Sequence, residues 1–116
     1  MSDLSPRITI RAVLSPGTAI GPGKADLLQG IDQTGSIAAA GRRMGMSYKR
    51  AWYLIDTMNQ YFLEPLVVST KGGKAGGGAV LTETGKTVLT AYREAEREAS
   101  TAAATALAKL VSLAAP

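Results

Sequence analysis

The stretch Ile37–Leu54, IAAAGRRMGMSYKRAWYL, decides how this chain folds. It reads as two short helices separated by a tight turn at Gly45. Such a turn suits glycine, which takes φ > 0 without a Cβ clash. Ser36 is placed to cap the first helix, expected over roughly 36–44, and Ser47 the second, expected over roughly 47–62. Gly41, four positions before Gly45, is small where the two helices would cross. Ala40, Met44, Met46, Ala51 and Leu54 occupy the positions that must be apolar to lock the crossing angle. This is a helix-turn-helix pattern, in which the second helix enters the DNA major groove. An ordinary αα-hairpin is the alternative reading.

Outward from that stretch the pattern changes period. Residues 7–14, RITIRAVL, alternate, with Ile8, Ile10, Ala12 and Leu14 on one side and Arg7, Thr9, Arg11 and Val13 on the other. That predicts a half-buried strand. Ser15-Pro16-Gly17 ends it, and Gly21-Pro22-Gly23 punctuates the next loop. A helix is expected over 24–34, with Leu27, Leu28 and Ile31 on one stripe and Gly35 as its stop. The helix from Ser47 has Ala51, Leu54, Ile55, Met58 and Phe62 as its buried stripe. After Pro65, Leu66–Val68 and Ala79–Leu81 read as two short strands joined by KGGKAGGG at 71–78, which holds five glycines. Thr82 is placed to cap a last helix that reaches Leu113.

The fold class that follows is mainly α with a small β component: a winged helix-turn-helix with a long C-terminal helix. Its single domain, 1–116, divides into a helix-turn-helix at 36–62, a wing at 65–82 and a C-terminal dimerisation helix at 83–113. With 46% apolar and 19% charged residues, the composition is that of an ordinary globular domain.

Composition also excludes much chemistry. The chain has neither Cys nor His. Disulfides, the usual zinc sites, Ser or Cys triads and His acid–base catalysis are therefore out. No cofactor and no metal site are expected, and no enzyme. No apolar run reaches the roughly 18 residues of a membrane span, and MSDLSPR lacks the apolar core of a signal peptide, so a cytoplasmic protein is expected. A nucleotide-binding P-loop fails on both candidates. KGGKAGGG has no Lys-Ser/Thr and leads into a strand, while Gly23-Lys24 has Thr18 in place of the first Gly and Ala25 in place of Ser/Thr.

The net charge of +4 is unevenly placed. Residues 1–35 and 83–116 are each neutral. Residues 36–82 hold Arg42, Arg43, Lys49, Arg50, Lys71 and Lys74 against only Asp56 and Glu64. Localised positive charge is the electrostatic footprint of a nucleic-acid binder. Ser47, Tyr48, Lys49 and Arg50 fall in the first turn of the second helix, where recognition helices meet base edges and phosphates, and Tyr53 extends that face one turn on. Trp52 is ambiguous between packing and a base contact, and a lone Trp is more often the former. Lys71 and Lys74 sit on the glycine-rich tip, where the backbone can approach a phosphate closely.

On the last helix, Val88, Leu89, Tyr92, Ala95, Ala99, Ala103, Leu107 and Leu110 form an apolar stripe that one small domain can hardly cover. A two-fold partner would bury it, so a homodimer on double-stranded DNA is expected. A helix that frays after about residue 100 is the competing reading. A protein-interaction module of the same fold, without DNA binding, is the rival for function as a whole.

SIAAAGRRMGMSYKRAW at 36–52, then MNQ, EPLV and GGKAGGGAVLTETG, resembles the N-terminal DNA-binding domain of the ModE family. These are molybdenum-responsive transcriptional regulators whose winged helix-turn-helix is related to the LysR type. The likeness runs over roughly residues 7–95. It implies a homodimer on a palindromic operator, contacted by the helix from Ser47 and by the wing around Lys71–Gly78. Family members continue into C-terminal domains that bind molybdate. These 116 residues hold no such sensor, so molybdate is not an expected cofactor.

Overall fold

The computed structural model describes residues 5–70 and 78–116. Among these residues the elements follow in the order β1 (Ala12–Ser15), β2 (Thr18–Ile20), α1 (Pro22–Thr34), α2 (Ile37–Arg43), α3 (Tyr48–Tyr61), β3 (Val67–Thr70), β4 (Gly78–Leu81), α4 (Glu83–Ala102) and α5 (Ala104–Leu113). The strands form two separate antiparallel pairs, β1 with β2 and β3 with β4, so the fold is mostly helical with little sheet.

The strand expected over 7–14 is shortened. Residues 6–11 have no regular structure, and β1 pairs with the three-residue β2, which sequence periodicity missed. Burial still alternates along 7–13, because Ile8 and Ile10 turn inward without a partner strand. The expected C-terminal helix is two helices, since the backbone departs from helical geometry at Ala103, with φ −94° and ψ 3°.

Helices α1, α2 and α3 wrap one core. Leu27, Leu28 and Ile31 of α1 meet Ile37 and Ala40 of α2 and Ala51, Ile55 and Met58 of α3, all buried in one cluster. Local chemistry sets the boundaries. Gly35 closes α1 with φ 71°. Ser36 caps α2 by accepting from the Ala39 N–H, and Ser47 caps α3 by accepting from the Arg50 N–H, both at 3.0 Å. Gly45 takes φ 68° between them, which an L side chain rarely adopts.

The β3–β4 hairpin is tied in at its root. The Asn59 carbonyl of α3 accepts from the Leu66 and Val67 N–H groups at 2.8 and 3.2 Å, and its amide donates to the Val67 carbonyl at 3.1 Å. The Ala79 N–H donates to the Gly35 carbonyl at 3.0 Å, which seats β4 beside the start of α2. Thr82 accepts from the Gly85 N–H to cap α4 and donates to the Pro65 carbonyl at 2.7 Å. Tyr92 of α4 is buried and donates its hydroxyl to the Ile10 carbonyl at 2.7 Å, holding the N-terminal segment against the body.

Candidate nucleic-acid interface

Helix α3 divides cleanly between an inner and an outer face. Ala51, Ile55 and Met58 are buried. In its first two turns Tyr48, Lys49, Arg50, Trp52 and Tyr53 are all exposed, and none is acidic. The close crossing of α2 over α3 makes this possible. A Cβ on Gly41 would stand 3.2 Å from the Ala51 Cβ, a tight approach that glycine avoids where the two helices cross.

The outer face is ordered by its own contacts. Trp52 Nε1 donates to the Tyr48 hydroxyl oxygen, and the two rings meet edge to face with centroids 6.4 Å apart. Because that oxygen accepts, the Tyr48 O–H proton is left to point elsewhere. Trp52, expected to pack inward, therefore stands on the surface, 37% exposed. Ala51 already holds the inward position, and the next residue lies about 100° round the helix. The Arg50 guanidinium lies 5.5 Å from the Tyr53 ring centroid. Ser47 presents an oxygen already engaged as the helix cap.

Two grooves run along the flanks of α3. One, of about 210 Å³, joins Tyr48 and Trp52 to Ser36, Ser69, Thr70 and Gly78. It is polar, and none of the described residues lining it is charged. The other, of about 410 Å³, joins Arg50 and Met46 to Arg11, Gly21, Gly23 and Lys24. Arg42 and Arg43 line neither groove. They occupy the last turn of α2, where positive charge offsets the helix dipole, and Arg43 donates to Gln33 Oε1 at 2.6 Å. Lys71 and Lys74 lie outside the described residues. Arg11 and Lys24 went unnoticed in the sequence because the segment that carries them is neutral overall. Only the fold brings them beside Arg50.

A contrasting cation sits on α4. Arg93 donates to Asp26 Oδ1 at 2.7 Å, to Glu96 Oε1 at 2.9 Å and to Gln29 Oε1. Partial burial works against its charge, but the two carboxylates outweigh this and hold the guanidinium more firmly protonated than usual. Burial likewise pushes the Tyr92 phenol above its ordinary value, with Glu96 adding to the shift.

The apolar stripe of the last helices splits in two. Val88, Leu89 and Tyr92 pack on the core of their own chain. Ala95, Ala99, Ala103 and Leu107 are half-buried, and Leu110 is exposed. No residue of α5 is buried. An apolar groove of about 250 Å³ opens beside α4, with Leu14, Ile20, Phe62, Val88, Tyr92 and Ala95 in its walls. Among the described residues, no group of His, Cys, Asp or Glu is placed to hold a metal ion, and no helix is long and apolar enough to cross a membrane.

No protein-family model matches the chain. Curated relatives do. The molybdenum-pterin-binding protein MopB of Rhodobacter capsulatus is 47% identical over 76 residues, which is 66% of this chain and 28% of that protein. The molybdenum transport protein ModE of Azotobacter vinelandii is 45% identical over 82 residues, 71% of this chain and 30% of that one. The DNA-binding transcriptional dual regulator ModE of Escherichia coli K12 is 44% identical over 71 residues, 61% and 27% respectively. The match thus spans less than a third of the length of each of these relatives.

Proposed function

We propose that this chain is the DNA-binding unit of a ModE-like transcriptional regulator, not an enzyme: a winged helix-turn-helix that reads a palindromic operator as a homodimer in the cytoplasm. The observation that carries this reading is the outer face of α3. Five consecutive non-alanine residues of its first two turns are exposed, cationic or aromatic, and free of carboxylates, on a helix whose other side is locked into the core. Similarity to a relative named as a DNA-binding regulator supports it.

In this reading α3 lies in the major groove. Lys49 and Arg50 read base edges, with Arg50 suited to bidentate bonding of guanine O6 and N7. Ser47, Tyr48 and Tyr53 donate to phosphates, Arg42 and Arg43 add to the positive field, and Lys71 and Lys74 follow the flanking backbone. The unit itself needs no cofactor. The exposed aliphatic face of α5 and the apolar groove beside α4 support a two-fold contact through Ala95, Ala99, Ala103, Leu107 and Leu110, with Val88, Leu89 and Tyr92 shaping its floor. Half-sites then lie about 34–36 Å apart, or a multiple of that.

Selection of bound genomic fragments, followed by titration of the enriched duplex against salt, tests the reading. A palindromic consensus and an affinity that falls steeply with salt are expected. An interaction module that does not bind DNA would enrich no sequence and show no slope.

A further inference from the structure

We infer that Arg11 and Lys24 form a clamp for one strand of the duplex backbone, in the groove beside Arg50 on the α1 side of α3. The inference rests on α3 being the DNA-reading helix and adds two residues that neither the charge pattern nor the helix-turn-helix pattern pointed to.

Three cations from three separate parts of the chain converge on this groove: Arg11 from just before β1, Lys24 from the first turns of α1 and Arg50 from the first turn of α3. No carboxylate among the described residues lines it. Like charges gathered without a counter-charge repel one another, so the arrangement is favourable only when an anion is brought to it. Arg93, by contrast, is balanced by Asp26 and Glu96. The groove's charges are instead held by neutral groups. Lys24 Nζ donates to the Ala19 carbonyl at 3.0 Å and stands 4.8 Å from the centre of the Tyr61 ring. Arg50 lies over Tyr53. Arg11 is exposed and forms no ion pair among the described residues. Its stem lies near Gly21, where an added Cβ would stand 3.9 Å from Arg11 Cγ. Gly21 and Gly23 keep the floor of the groove low.

Helix dimensions identify the anion. An α-helix with its side chains is about 10–12 Å across, and the B-DNA major groove is about 12 Å wide, so a helix lying in it has a phosphate ridge on either side. The two flanks of α3 are the two grooves. Among the described residues, the Ser36–Thr70 side offers hydroxyls and the Arg11–Lys24 side offers charge. The cationic flank receives its strand by neutralising phosphates, which depends on no base sequence.

The test is titration of the full chain with a short random-sequence duplex, read by fluorescence anisotropy across a range of salt. Arg11→Ala should weaken binding to every duplex alike and reduce the slope of log K against log salt by about 0.9, one phosphate contact. Arg97→Ala removes the same charge from the exposed surface of α4 and should leave the slope unchanged. Lys24→Gln should act like Arg11→Ala. Lys24 also has bonds to its own chain, so Arg11 decides the matter. If the unaltered chain binds with a steep slope and Arg11→Ala keeps that slope, the clamp is overturned while the reading of α3 stands. Equal losses in Arg11→Ala and Arg97→Ala would reduce the effect to net charge and overturn the clamp as well. If the unaltered chain shows no salt-dependent binding, both fall.

Discussion

Helices α3 and α5 both present exposed faces, and the chemistry of the two is opposite. On α3, Tyr48 and Tyr53 are more than half exposed beside Lys49 and Arg50, while Ala51 and Met58 on the other side are fully buried. On α5, Leu110, Val111 and Leu113 are 64%, 45% and 84% exposed, Lys109 is the only charge, and nothing is buried. The first face is comfortable in water and rigid because the core holds it from behind. The second exposes aliphatic groups, each of which gains about 1.5–3 kcal/mol when fully covered. The contrast suits the proposed polyanion on α3 and the proposed second copy on α5.

The sharpest way to break this comparison is to remove α5. Ending the chain after Ala103 should leave the α1–α3 core folded, since no residue of α5 is buried within it. Sedimentation should shift from dimer to monomer. Binding to a two-half-site duplex should fall roughly 10²- to 10⁴-fold with the effective concentration of the second half-site, while a single half-site is bound as before. A truncated chain that still sediments as a dimer would place the interface elsewhere.

The next test concerns what stands behind each face. Ile55 is 1% exposed under α3. Ile55→Ala should lower unfolding free energy by about 2–5 kcal/mol in denaturant melts. Val111→Ala should change the monomer's stability by no more than about 0.5 kcal/mol, as surface substitutions do. A large loss from Val111→Ala in dilute monomer would show that α5 is covered by its own chain.

A third experiment addresses the working end of α3. Arg50→Ala should weaken operator binding by about 1–3 kcal/mol and relax preference at one base position, because a bidentate contact is specific to one base. A uniform loss over all sequences would restrict Arg50 to phosphate and make it wholly part of the Arg11–Lys24 groove.

The legible and the illegible parts of the molecule separate along the same line. The α2–α3 unit was readable because its signals are local: Ser36 and Ser47 as caps, Gly45 at the turn, and apolar residues three and four apart. β2 escaped because Thr18-Ala19-Ile20 is too short to show a period between two turn signals. The strand expected over 7–14 is a ladder only from Ala12; over 7–11 the alternation comes from packing, which leaves the same imprint on sequence. The interruption at Ala103 falls in a run of small residues without Gly or Pro, so nothing local marks it. Arg11 and Lys24 were hidden for a tertiary reason. Their segment is balanced by Asp3, Asp26 and Asp32, and Asp26 is drawn off to Arg93 once the chain folds.

The smallest expected effect links the two regions. Tyr92 reaches across 82 residues of sequence to the Ile10 carbonyl, the peptide next to Arg11. Tyr92→Phe keeps the ring and removes that bond, so stability at neutral pH should drop by about 1 kcal/mol. The alkaline limb gives a second signature. The unfolded chain releases the tyrosine proton near pH 10, and burial delays that release in the folded chain. Between those two points the unfolded state holds fewer protons than the folded one, so stability falls as pH rises through and above about 10. Tyr92→Phe should therefore flatten this fall in urea melts taken at neutral and alkaline pH. The same variant frees the segment that aims Arg11, and the salt slope of DNA binding should shrink by a fraction of one phosphate contact. An identical alkaline fall in both proteins would mean that Tyr92 ionises as freely folded as unfolded, and that its bond to Ile10 does not hold the N-terminal segment in solution.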